Sequence, residues 1–134
     1  MEQATEAIPA APTAIRHVLL DALALPEWNE AFLAIDGPEQ AELGARYALR
    51  VRPGLAGELQ FTVVEADRIE ITWQVPGFRE VGTWSIGADS RVTHTFEQSG
   101  PLATVLRPAY RNIATIRLAR LANRVRQLQL AHTA

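Results

Sequence analysis

The chain contains neither cysteine nor lysine. The first absence excludes disulfides, thiolate chemistry and cysteine-ligated zinc. The second excludes a lysine Schiff base or lysine general base, and makes all thirteen cationic side chains arginine. Long apolar runs are also missing, since no stretch approaches the roughly 20 residues that a membrane-spanning helix needs. Met1-Glu2-Gln3 carries an acid and no cationic segment ahead of an apolar run, which argues against a secretory signal. The expectation is a cytoplasmic protein with no membrane span. Catalytic signatures are scarce. His17, His94 and His132 show no metal-ligand spacing, and no serine sits in a Gly-x-Ser-x-Gly elbow. No metal and no cofactor are expected.

What is present is ordinary globular composition: 134 residues, 48% hydrophobic, 21% charged, formal net charge -2. That length suits one domain, residues 1–134, around one core. The net charge makes no general case for nucleic acid as a partner. The charge is nonetheless uneven. Residues 1–45 hold eight acids against one base, Arg16, whereas residues 101–134 hold six arginines and no acid. Such asymmetry marks either a surface for an acidic partner or two segments that meet within one fold.

The hydrophobic pattern orders the chain. Gln3 to Ile8 reads as a strand, ended by Pro9 and Pro12. Ala14, Ile15, Val18 and Leu19 recur at helical spacing, and Leu23, Leu25 and Trp28 indicate a second short helix broken near Pro26. Ala31 to Ile35 forms a short strand. Tyr47-Leu49-Val51, Leu59-Phe61-Val63, Ile69-Ile71-Trp73-Val75, Gly82-Trp84-Ile86 and Val92-His94-Phe96 then alternate with polar neighbours. Short connections join them, with Gly54-Leu55-Ala56-Gly57 read as a hairpin turn, so the sheet is antiparallel with one wet face. Ser99-Gly100-Pro101 opens a long terminal helix. Pro108, with a change of phase in the apolar stripe nearby, predicts a bent or two-part helix. Leu102, Val105, Leu106, Ala109, Ile113 and Ile116 share one face, predicted to look into a cavity. Tyr110, Ala114, Leu118, Leu121, Val125 and Leu128 share another, predicted to clamp onto the sheet.

Several local sequences fit this order. Ile8-Pro9-Ala10-Ala11-Pro12 precedes the first helix, which ends in Leu20-Asp21 and is followed by Leu25-Pro26-Glu27-Trp28-Asn29. Later come Thr83-Trp84-Ser85-Ile86, Ser90-Arg91-Val92-Thr93-His94-Thr95-Phe96-Glu97, and Gly100 before the long helix. Over nearly its whole length the chain resembles the START-like, or SRPBCC, superfamily, and within it small bacterial polyketide cyclase/dehydrase-like proteins. The resemblance implies an α+β helix-grip fold. In it a curved antiparallel sheet of six to seven strands wraps around a long C-terminal helix, with two short helices after the first strand. It also implies a hydrophobic tunnel for a lipid, sterol, polyketide or other apolar ligand. Some relatives are cyclases or aromatases.

Within that frame the inward positions become candidates. His94 lies on the face of Val92 and Phe96, so it either works as an acid/base or is a satisfied core histidine. Trp73 and Trp84 either stack on an aromatic ligand or fill the core, and Tyr47 and Phe61 pose the same choice. Tyr110, near the bend, is a candidate hydroxyl donor at the cavity mouth. Ile113 and Arg117 complete the candidate ligand-binding set of Tyr47, Phe61, Trp73, Trp84, His94, Phe96 and Tyr110. Arg117, Arg120 and Arg124 share a face and either hold an anionic group or pair with the acidic front. Trp28 is expected at the tip of the helical V, and Arg79-Glu80 at an exposed strand start. Three functions are compatible with this: binding of a small hydrophobic or aromatic molecule, a cyclase or aromatase using His94, or an interaction module using the cationic helix. The set is thin for an enzyme. A monomer or homodimer is expected.

Overall fold

Alternating apolar and polar residues give an extended backbone one dry face and one wet face. Every segment read this way forms a strand. The computed structural model describes residues 1–133, with side chains through Ala131. Its strands are β1 (Glu2–Ala7), β2 (Phe32–Asp36), β3 (Arg46–Val51), β4 (Leu55–Val64), β5 (Arg68–Val75), β6 (Phe78–Ile86) and β7 (Arg91–Ser99). They form one antiparallel sheet in the order β1-β7-β6-β5-β4-β3-β2. Register shifts in β2, between Phe32 and Ala34, and in β4, between Phe61 and Val63, are irregularities of the kind that bend strands and let a sheet curl.

Helix α1 (Pro12–Leu20) and the 3-10 turn Ala22–Glu27 follow β1 and form the expected V. Proline at the first helical position of α1 forfeits an N–H that would have had no partner anyway. Ile15, Val18 and Leu19 are its buried stripe, and Trp28 is buried just past the V. Helix α3 (Ile113–Thr133) lies in the concave face of the sheet, against β1, β7 and α1. Its buried apolar residues, Ala114, Leu118, Leu121 and Val125, belong to the second of the two predicted faces. This is the helix-grip arrangement.

Three local expectations are sharpened or corrected. Of a bent or a two-part terminal helix the structure shows the second, α2 (Pro101–Leu106) and α3, separated by the 3-10 turn Arg107–Tyr110. Pro108 lacks the N–H that would continue α2, Arg111 is extended, and Asn112 is left-handed at φ 66°. The break splits the first apolar face: Ala109, Ile113 and Ile116 line a cleft, whereas Val105 is 71% exposed and Ala103 is the buried residue of α2. The third correction concerns the β3–β4 connection. The turn is Arg52-Pro53-Gly54, and Leu55, Ala56 and Gly57 already belong to β4. A Cβ on Gly57 would lie 2.1 Å from the Gln74 carbonyl oxygen, so close strand approach explains this glycine.

New starts need new caps. Gly100, at φ 99°, lets α2 begin on the β5–β6 turn, where Leu102 N donates to Gly77 O at 3.0 Å. For α3 the cap comes from the far end of the sequence. The Glu2 carboxylate accepts from Asn112 N at 2.9 Å through one oxygen and from Ala114 N at 2.7 Å through the other. An anion at a helix N-terminus also meets the positive end of the helix dipole. Glu2 thereby ties β1 to the helix that the sheet encloses.

Candidate functional site

Strand β6 positions the centre of the site. Its alternation sends Phe78, Glu80, Gly82, Trp84 and Ile86 to the dry face. Glu80, expected at an exposed strand start, is therefore buried. The sequence signal existed: extending the Gly82-Trp84-Ile86 alternation back by one step reaches Glu80. From β7, His94 points to the same face and is 1% exposed. From α3, Arg117 reaches in and is 4% exposed.

These three form one buried hydrogen-bonded unit. Arg117 grips the Glu80 carboxylate with two bonds, NH1 to Oε2 at 2.8 Å and NH2 to Oε1 at 3.1 Å. Trp73 Nε1 and Gln98 Nε2 each donate to Glu80 at 2.9 Å. The Arg117 guanidinium also lies 4.9 Å from the centre of the Phe96 ring. His94 Nδ1 is 3.1 Å from Thr83 O, and Nε2 is 3.3 Å from Arg117 NH1. A carbonyl and a guanidinium fix the tautomer, because the carbonyl only accepts and arginine only donates. Nδ1 donates, and the Nε2 lone pair receives the Arg117 N–H.

Burial and the Arg117 charge push the His94 pKa down to about 3, against weaker opposing effects from Thr83 O and Glu80. The ring is neutral at pH 7. Burial alone would raise the Glu80 pKa, but the Arg117 charge and the hydrogen bonds from Arg117, Gln98 and Trp73 outweigh it and hold the carboxyl below its usual range. Burial, then the Glu80 charge, raises the Tyr110 hydroxyl, with Arg117 acting the other way. It remains a neutral donor.

An aromatic wall encloses the unit. His94 stacks on Trp84 at 3.7 Å, and Trp28 meets Trp84 edge-on at 5.6 Å. Phe32, Trp73, Phe78 and Tyr110 continue as successive ring contacts, and Tyr110 also meets Phe96. Tyr47 and Phe61 contact each other at 5.9 Å but touch none of these rings. Both are buried, and the Tyr47 hydroxyl has no hydrogen-bond partner. Burial, then Glu42, raises its pKa.

Three cavities border this region. The smallest measures only about 20 Å³, with Trp28, Asn29, Trp84, His94 and Arg117 in its wall. A cleft of about 230 Å³ opens between the start of α3 and the β2–β3 side, lined chiefly by Ala31, Val51, Ala109, Tyr110, Ile113 and Ile116, with Arg117 and Asn29. On the other side of Tyr110 a wider cleft of about 450 Å³ runs past Glu2, Phe96, Gln98, Ala103 and Arg107. The structure thus brings Trp73, Trp84, His94, Phe96, Tyr110, Ile113 and Arg117 into one neighbourhood. Tyr47 and Phe61 line none of these three cavities.

The arginine face divides. Arg117 points in, whereas Arg120 pairs with Glu30, and Arg124 with Glu27 at 3.4 Å. The acidic front and basic back therefore meet at these pairs. Among the described residues no group of three His, Asp or Glu side chains converges as a metal site. The side chain of His132 lies outside the described residues.

Comparison with known proteins follows the geometry. No curated protein matches the chain in sequence. Among solved structures, the Zhui aromatase/cyclase from Streptomyces sp. R1128 superposes with TM-score 0.71 at 14% identity, over 94% of this chain and 93% of that one. The Mll3558 protein from Rhizobium loti gives TM-score 0.66 at 17% identity over 94% of each chain. Major latex-like protein 151 from Panax ginseng gives 0.69 at 10%, over 92% of this chain and 94% of that one. These likenesses show the helix-grip fold. The family model described as polyketide cyclase / dehydrase and lipid transport matches residues 3–126, and the chain belongs to that family.

Proposed function

We propose that this protein binds a small hydrophobic or aromatic molecule, with the body of the ligand in the cleft beside Tyr110. The observation that carries the reading is the cleft itself: about 230 Å³, with mostly apolar walls and a buried arginine at its inner end. Ligand sites usually combine such walls with a few polar groups that set orientation. Their usual span of roughly 300–1,000 Å³ puts this one at the small end, fit for one or two rings or a short acyl chain. Membership in a family described by cyclisation and lipid transport supports the same class.

The test is a thermal-shift screen of short acyl and fused-ring compounds. A ligand at a hundred times its Kd adds about 2.7 kcal/mol and raises the melting temperature by several degrees. Ile113→Arg, which places a bulky charge in the cleft wall, should abolish the shift. Absence of any stabilising apolar compound would sink the reading, as would undiminished binding by Ile113→Arg.

A second reading, a cyclase- or aromatase-type enzyme with His94 as acid/base, draws on the same family and on the position of His94 in the wall of the small void. Unchanged turnover of an identified substrate by His94→Ala would remove it. The cationic terminal segment as a docking surface has weaker support. Arg117, Arg120 and Arg124 are already engaged by Glu80, Glu30 and Glu27. Polyanion binding at low salt is its test.

A further inference from the structure

The hydrogen-bond inventory around the small void beside His94 is lopsided. Trp28 Nε1 is buried and has no partner. Asn29 uses Oδ1 to accept from Ala31 N at 3.1 Å, and its Nδ2 donates to no described protein atom. Arg117 has five N–H donors, and its bonds to Glu80 and His94 use three of them. The acceptors are committed. Each Glu80 oxygen receives two donors, and the His94 Nε2 lone pair receives Arg117. Of these donors Trp28 Nε1 is the buried one without a partner among the described residues, its ring lies in the wall of this space, and a buried donor without a partner is costly.

Position and charge narrow what completes the inventory. Asn29 and Arg117 line both the void and the 230 Å³ cleft, so the two spaces adjoin at these side chains. Its volume of about 20 Å³ admits one oxygen-sized atom. Glu80 and Arg117 cancel in charge, and His94 is neutral. A carboxylate here would add an uncompensated negative charge beside Glu80, at a desolvation cost that a neutral oxygen does not incur.

We infer that Trp28, Asn29 and Arg117 form a receiving pole for an uncharged acceptor oxygen, a carbonyl above all, carried by a molecule whose apolar body fills the cleft. This rests on the cleft reading and adds to it the polar group that the site selects. The pole discriminates by hydrogen bonding, because a ligand without the oxygen leaves the Trp28 donor unpaired.

Three probes of one shape test it by calorimetry on the full chain: 2-acetylnaphthalene, 2-ethylnaphthalene and 2-naphthoate. The expected order puts the ketone about tenfold tighter than the hydrocarbon and the carboxylate, the equivalent of one well-placed hydrogen bond. Trp28→Phe should cut the ketone preference to about twofold while hydrocarbon affinity stays within about twofold, since only the donor is lost. Equal binding of ketone and hydrocarbon by the natural chain overturns the pole and leaves the cleft reading standing. So does preference for the carboxylate, or an undiminished ketone preference in Trp28→Phe. Failure of all three probes to bind overturns both. The comparison within the natural chain needs no variant, so it stands even if Trp28→Phe folds poorly.

Discussion

Acidification should destabilise this protein through one side chain, in a pH range where carboxylates are still ionised. His94 is 1% exposed, and its pKa is held at about 3 by burial and by the Arg117 charge. In the unfolded chain the same ring titrates near 6.5. Between those values the unfolded state binds a proton that the folded state refuses, so stability rises with pH across this interval. The contribution is intact above about pH 6.5 and is lost progressively as the pH falls toward 3. At about 1.36 kcal/mol per unit, the drop at pH 5 is about 2 kcal/mol. Glu80 acts elsewhere. Its pKa is depressed, so its stabilisation is present above the unfolded carboxyl value of 4.5 and is lost only as the pH falls through the lower folded value. The assay is urea unfolding of the natural chain and His94→Gln at several pH values from about 7.5 to 5, with folded-state NMR titration of the ring. His94→Gln should start about 1–3 kcal/mol less stable at neutral pH, from lost hydrogen bonds, yet lack the 2 kcal/mol slope. A ring titrating near 6.5 in the folded protein would refute the reasoning, as would the same slope in His94→Gln.

The buried pair gives a second expectation. Glu80→Gln leaves the Arg117 charge without its counter-ion and should cost about 3–5 kcal/mol in urea unfolding, whereas the double change Glu80→Leu with Arg117→Met should cost markedly less. Removing the cap on α3 by Glu2→Ala should lower stability by about 1–2 kcal/mol and speed amide exchange at Asn112 and Ala114, while exchange at Leu121 follows global unfolding alone. Arg124→Ala breaks a pair whose acid, Glu27, is 58% exposed, and should change stability by less than about 1 kcal/mol, a loss that shrinks further in high salt.

The sheet was legible because its signal repeats locally. Tyr47, Leu49 and Val51, or Ile69, Ile71 and Trp73, show their inward face without any knowledge of their partners. His94 was legible for the same reason. Glu80 was hidden by its type, since an acid beside Arg79 at a strand start reads as solvated even though the alternation places it inside. The break after Tyr110 was half legible. Pro108 marked the place, but Asn112 turns left-handed where the Glu2 carboxylate is positioned to receive the next helix start, and that bond spans 110 residues. No local pattern reports such a contact.

The polar interior also weighs binding against catalysis. An acid/base needs a pKa near the working pH and access to the proton that it moves. His94 has its pKa at about 3, its Nδ1 proton given to Thr83 O and its Nε2 lone pair occupied by Arg117. To work as a base the ring would have to displace a guanidinium that Glu80 holds with two bonds. To work as an acid it would have to charge where burial and Arg117 both oppose charge. The same features suit a different task. Glu80 fixes Arg117, Arg117 and Thr83 fix the tautomer of His94, and the stacked Trp84 fixes its ring. An Arg117 held this rigidly receives an acceptor oxygen with little side-chain ordering at the moment of binding, and that preorganisation favours holding a ligand over turning it over.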